Sequence, residues 1–154
     1  MNIRLLLLGK NKDSYIEAGI SDWVKKLKAF CSVEITYIKD ERVHNDIGKV
    51  LDKEAERIIN NINPNDFVVV LDEHGKSFSS EKLSAKFEDL QIRGENSFTF
   101  IIGSAHGLSL QVKESADLLL SLGPLTMNHQ IVRLVLLEQI YRIFTIQRGL
   151  PYHK

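Results

Sequence analysis

The chain of 154 residues has one cysteine, three prolines, one tryptophan and no excess of either charge, with 20 Lys and Arg against 20 Asp and Glu. A single thiol, Cys31, closes no intramolecular disulfide and has no Cys-x-x-Cys companion, which excludes a disulfide scaffold and a dithiol redox motif. Its setting, Phe30-Cys31-Ser32-Val33, reads as a buried structural thiol at a helix-to-strand junction. No run approaches the roughly 20 apolar residues of a membrane span. The apolar Leu5–Leu8 near the N-terminus is too short for a signal-peptide core and is followed at once by polar residues. A cytoplasmic protein without membrane contact is expected. The zero net charge argues against indiscriminate nucleic-acid binding but leaves room for a local basic patch.

What is present is the composition of a globular domain, 44% apolar and 26% charged. The length predicts one domain over 1–154, large enough to fold without a disulfide or metal staple. Short apolar runs at 3–9, 33–39, 67–71, 98–102 and 118–122 read as strands. Helical patterns lie between them, at about 13–30, 46–62, from Ser79-Ser80-Glu81 onward, and at about 110–116; a last helix spans 128–147. This alternation predicts an α/β fold with a mostly parallel sheet flanked by helices. Ligands of such sheets bind beyond the carboxyl ends of the strands, so the loops after Leu8, Leu71, Ile102 and Leu122 are the candidates.

Four segments carry possible chemistry. Gly75-Lys76-Ser77 lacks the earlier glycine of a phosphate-binding loop, because Val70 stands there, so a nucleoside triphosphatase is excluded. Its neighbours Asp72, Glu73 and His74 read as a solvated loop, and no metal site is expected. Gly103-Ser104-Ala105-His106-Gly107-Leu108, between a buried strand and a helix, is either a tight turn or a backbone approach to a ligand. Leu122-Gly123-Pro124-Leu125-Thr126-Met127 is an uncharged loop, which is either covered by chain or wraps a ligand with a flat apolar part.

The last helix is apolar over most of its circumference, which calls for a second covering surface and suggests a homodimer. Arg133 projects among its apolar residues and must be paired, either structurally or with an anionic ligand or RNA. From Leu125 to Lys154 the net charge is +3, with Arg133, Arg142, Arg148 and Lys154 against Glu138, which leaves −3 in residues 1–124. His129, Tyr152 and His153 add rings and titratable groups to this basic end. A basic C-terminus also complements the helix dipole, so spacing leaves a functional and a structural tail both open.

With these residues in view, the sequence resembles the small bacterial SPOUT methyltransferases of the RlmH type, which methylate N3 of a pseudouridine in 23S rRNA. The resemblance runs through Leu71-Asp72, Phe100 to Leu108, Leu125 to Arg133, Leu137-Glu138-Gln139-Ile140-Tyr141-Arg142 and the terminal Pro151-Tyr152-His153-Lys154. It departs from the family at Ser104, where a second glycine is usual, and at Asn128, where a proline commonly precedes the histidine. The resemblance implies a C-terminal trefoil knot, a homodimer, S-adenosylmethionine as methyl donor and a 23S rRNA substrate in the large subunit or the 70S ribosome. By family position Leu71, Gly103, Leu122, Gly123, Pro124, Leu125, Thr126 and Met127 line the cofactor pocket. His153, Arg142, His129 and Tyr152 are the catalytic candidates, and Arg133, Arg148 and Lys154 the RNA-binding ones. Lys25, Lys26 and Lys28 extend the RNA footprint. Two other readings remain at this stage, a SPOUT enzyme for another RNA such as tRNA, and a non-catalytic dimeric nucleotide-binding module.

Overall fold

In the computed structural model, which describes residues 1–42 and 46–154, five strands alternate with five helices. They run β1 (Asn2–Leu8), α1 (Ser14–Leu27), β2 (Ser32–Ile38), α2 (Ile47–Ile59) and β3 (Phe67–Ser77). The second half is α3 (Ser80–Ile92), β4 (Ser97–Ile102), α4 (Leu110–Glu114), β5 (Leu118–Ser121) and α5 (His129–Gln147). The strands form one parallel sheet in the order β2-β1-β4-β3-β5. Alternate residues of each strand face opposite sides, and both sides are covered. Ile3, Leu5, Leu7, Val69, Phe98, Phe100 and Ile102 pack under α1, α3 and α5. Leu6, Leu8, Val68, Val70 and Ile101 pack under α2 and α4.

Local chemistry sets the helix starts. Asp46, Ser79, Ser109 and Asn128 each accept a backbone N–H of the first turn of α2, α3, α4 and α5. Cys31 is buried, and burial pushes its thiol up to about 11, so it is an inert part of the core. Among the described residues no helix is long and apolar enough to cross a membrane.

Two expectations need correction. Asp72, Glu73 and His74 are not simply a solvated loop, because they lie in an excursion within β3, which then pairs again with β5. Both Leu71 and Lys76 register with Leu120, and Ser77 registers with Ser121. Gly75 makes the return possible, since a Cβ there would lie 2.8 Å from backbone atoms of Leu119 and Leu120. Asp72 is half-buried in an ion pair with Lys113 at 2.6 Å, whereas the side chains of Glu73 and His74 are exposed.

The width of the apolar face on α5 is also met largely within one chain. The helix lies in a trough formed by the sheet, α1 and α3, which supplies three surfaces rather than one. Trp23 and Phe30 pack on Tyr141, Phe30 stacks on Phe144, and Leu134 lies against Gly19. What stays open is narrower: Ile131 is exposed, and Val132 and Val135 are half-buried.

The close approach at Gly75 yields a stability test. Gly75→Ala forces a methyl group into the backbone of β5 and is expected to cost about 1–3 kcal/mol. Urea denaturation monitored by circular dichroism measures it; unchanged stability would show that β3 does not return beside β5.

Candidate functional site

Three of the four candidate loops converge. The carboxyl ends of β3, β4 and β5 open into a cleft of about 650 Å³, lined by segments 71–74, 102–108 and 120–129 together with Lys113 and Val132. Leu71, Gly103, Leu122, Gly123, Leu125, Thr126 and Met127 all line it, whereas Pro124 is exposed and turns away from the lining. The loop after Leu8 takes no part in the lining.

Gly103 is a glycine for a spatial reason. A Cβ at that position would lie 2.7 Å from the Gly107 carbonyl oxygen and 2.8 Å from the Leu108 side chain. The segment folds tightly on itself, with the Gly107 N–H donating to the Ser104 carbonyl at 3.1 Å and Gly107 at φ +80°. The loop after β5 is shaped by the buried Ser121, whose hydroxyl donates to the Gly123 carbonyl at 3.0 Å and accepts its N–H at 3.3 Å. Leu125 is a large apolar side chain 77% exposed on the rim.

Charged groups at the cleft are few. Burial opposes the charged form of Asp72, but Lys113 and the backbone N–H of His74 outweigh it and hold the carboxyl below its usual range. His129, at the first residue of α5, has its pKa pushed down by burial and then by the cations of Arg133 and Lys12, against a smaller opposing pull from Asp40. A histidine below its ordinary value is neutral near pH 7 and offers a nitrogen lone pair to the cleft.

Arg133 answers the question its position raised. It is 0% exposed and donates to the Leu8 carbonyl at 2.5 Å, the Gly9 carbonyl at 3.1 Å and Asn11 Oδ1 at 2.6 Å. Gln130 accepts the Lys12 N–H at 3.0 Å beside it. The guanidinium fastens the β1–α1 loop to α5. In this chain it faces carbonyls, not solvent, so the structure places no RNA-facing group there.

The tail residues assemble elsewhere. Arg142 pairs with Glu138 on α5 and lies 4.8 Å over the Tyr152 ring. Tyr152 donates to Glu138 Oε1 at 2.9 Å and meets Tyr141 edge-on at 5.0 Å. His153 sits between Arg142, 3.2 Å from Nδ1, and Glu81 Oε1, 2.6 Å from Nε2. The carboxyl of Glu81 is lowered to about 2, first by its own backbone N–H at the start of α3 and then by His153. None of Arg142, Tyr152 or His153 lines the cleft. Arg142 is 13 residues beyond His129 on one helix, about 20 Å at 1.5 Å per residue. Arg148 and Lys154 are exposed at the same end, with the Arg148 guanidinium 4.6 Å over Phe30. Lys26 lies 4.2 Å over Trp23 on the adjacent face of α1.

Sequence reasoning missed three residues that shape the cleft: Lys113, Ser121 and Glu54. The first pairs with Asp72 across 41 positions of sequence, which no local pattern encodes. A serine two residues before a glycine gives a weak turn signal at Ser121. Nothing on α2 marks Glu54, a carboxylate in a polar helix pattern, as buried.

Comparison with known proteins agrees over the whole chain. A family profile described as "Predicted SPOUT methyltransferase" matches residues 1–153. The chain is 46% identical over 159 aligned positions to the ribosomal RNA large subunit methyltransferase H of Streptococcus gordonii. It is 43% identical to the proteins of that name in Streptococcus mutans and Halothermothrix orenii; in all three cases both chains are covered completely. Among solved structures it resembles "a probable methylase family protein from Haemophilus influenzae Rd KW20", with a TM-score of 0.55 and 11% identity over 96% of this chain and 66% of that one. That likeness concerns the fold alone.

The two readings of Arg133 separate experimentally. Arg133→Met leaves two carbonyls and the Asn11 side chain without their donor and is expected to lose roughly 2–4 kcal/mol of stability. A urea midpoint equal to wild type, with only RNA affinity reduced, would contradict the fastening role.

Proposed function

Because the chain belongs to the SPOUT methyltransferase family, we propose that it methylates N3 of a pseudouridine in 23S rRNA, acting as a homodimer on the large subunit or the 70S ribosome. The observation that carries this reading is identity of 43–46% along the full length of the large-subunit rRNA methyltransferases, joined to a cleft at the carboxyl ends of three parallel strands.

The cleft fits the methyl donor. Its volume is in the range of small-molecule sites. The missing Cβ at Gly103 leaves backbone accessible, and the 122–127 segment is uncharged, as an adenine-bearing ligand requires. Leu71, Gly103, Leu122, Gly123, Leu125, Thr126 and Met127 would hold S-adenosylmethionine, which when bound supplies an electrophilic methyl group. A knotted C-terminal half belongs to the same reading, supported by the meeting of segments 71–74, 102–108 and 120–129 in one place.

Methylation at N3 removes the ring proton there, so the site needs an acceptor and a field that favours the anion. His129 is neutral, partly buried and at the cleft, which suits it to accept that proton. Arg142 carries a charge for the developing ring anion, Tyr152 offers a face for base stacking, and His153 contacts the target base or passes its proton on. Since none of these three lines the cleft of its own chain, and Arg142 lies about 15 Å along α5 from Val132 at the cleft, they act on the cleft of a second copy. Arg148, Lys154, Lys25, Lys26 and Lys28 contact phosphates on the face they share. So few cations on a neutral protein hold naked RNA weakly, which favours an assembled ribosomal substrate.

Mass spectrometry of 23S rRNA nucleosides from a strain lacking the gene tests the function. One N-methylated pseudouridine is expected to disappear and to return with the full chain but not with a chain ending at Leu150. An unchanged methyl inventory would refute the reading, and full rescue by the shortened chain would remove Tyr152 and His153 from it.

A further inference from the structure

Helix α2 carries Glu54, a carboxylate that is only 2% exposed. A carboxylate so far from water requires hydrogen-bond donors. One oxygen, Oε1, accepts the backbone N–H of Glu41 at 2.9 Å. The other, Oε2, faces the hydroxyl of Ser104 at 3.5 Å. Among the described residues no ion pair reaches Glu54. Arg57, one turn along the same helix, is committed to Glu41 and to the Lys39 carbonyl at 2.9 Å.

Ser104 opens the turn that lines the cleft. Its hydroxyl oxygen accepts the His106 N–H at 3.3 Å, and its carbonyl accepts the Gly107 N–H at 3.1 Å. The hydroxyl can donate to Glu54 and accept from His106 at once, which makes a chain of three groups from α2 to the turn. The serine gives that turn a side-chain handle.

We propose that Glu54 is a positioning residue for the methyl-donor cleft, fixing the 103–107 turn through the hydroxyl of Ser104. The proposal rests on the reading of that cleft as the S-adenosylmethionine site. Ionised, Glu54 attracts the Ser104 hydroxyl proton across a long 3.5 Å contact, and a protonated carboxyl holds it more weakly still. Burial pushes the Glu54 carboxyl up, the Glu41 N–H draws it down, and Asp40 raises it further; Ser104 and His106 pull it lower. As pH falls through that raised value Glu54 takes up a proton, Ser104 loses its charged acceptor and the turn loosens. Affinity for the donor is therefore full on the alkaline side and is lost on the acid side.

Isothermal titration of S-adenosylmethionine into the full chain tests this with wild type, Ser104→Ala, Glu54→Gln and the double variant. At about pH 8 each single variant is expected to bind about fivefold more weakly, the net worth of one hydrogen bond. If both act through one contact, the double variant is no weaker than the weaker single. Wild type is expected to lose affinity as the pH is lowered through the raised Glu54 pKa, and the variants to lose little. In methyl transfer, KM for the donor rises while kcat at saturation stays within about twofold.

Wild type that binds nothing would refute the reading of the cleft itself. Wild type that binds, with Ser104→Ala and Glu54→Gln equal to it, would overturn the positioning role alone. So would additive losses in the double variant, or an acid limb that persists in Glu54→Gln. Ser104→Ala lies in a partly exposed turn and keeps the test decisive if Glu54→Gln does not fold.

Discussion

The rigidity of α5 constrains everything else in the molecule. Its 19 residues form one helix, with His129 at the cleft and Arg142 near the tail. A helix does not bend to bring its ends together, so within one copy Arg142 and the aromatic tail packed on it stay about 15 Å along α5 from Val132 at the cleft. The helix cannot slide to shorten that distance. It is wedged between α1 and α3, its Ser84 and Gln147 contacts tie it to α3, and Arg133 bolts it to the β1–α1 loop.

Buried and half-buried polar groups tie loops to the core, at the cleft and beside it. Arg133 satisfies carbonyls at the end of β1, Asp72 pairs with Lys113 across the cleft floor, and Ser121 closes the turn after β5. Each is expensive to bury and each would be costly to break, which is how a small domain holds irregular backbone in one conformation. The surface charge is arranged by the same logic. A net charge of zero hides an acidic body and a cationic end, and the cationic end is where Arg142 and Arg148 lie over aromatic rings.

Much of this arrangement was legible in the sequence. Apolar runs such as Phe67–Leu71 and Phe98–Ile102 announce central parallel strands because both of their faces are buried. The uncharged Leu122–Met127 segment announced a special environment, and it lines the cleft except at Pro124. Arg133 signalled that it must be paired, but its partners are backbone carbonyls over 120 residues away, which leave no trace in side-chain identity. The return of β3 beside β5 was illegible because it depends on the absence of one Cβ at Gly75 against Leu119 and Leu120, 44 and 45 positions later. Nor did the apolar circumference of α5 distinguish a trough within one chain from an interface between two. That distinction is one of tertiary geometry, and periodicity does not contain it.

The separation of cleft and tail is the central claim, and mixing subunits tests it most directly. One chain carries Gly103→Val, which fills the cleft and keeps its tail; the other ends at Leu150 and keeps its cleft. Each alone is expected to be inactive in methyl transfer. After exchange, half of the dimers hold one of each, and one of their two sites combines an intact cleft with the other chain's tail, so activity returns to about a quarter of wild type. A mixture that forms these dimers and stays as inactive as its parts would contradict the account, because each tail would then be serving its own cleft.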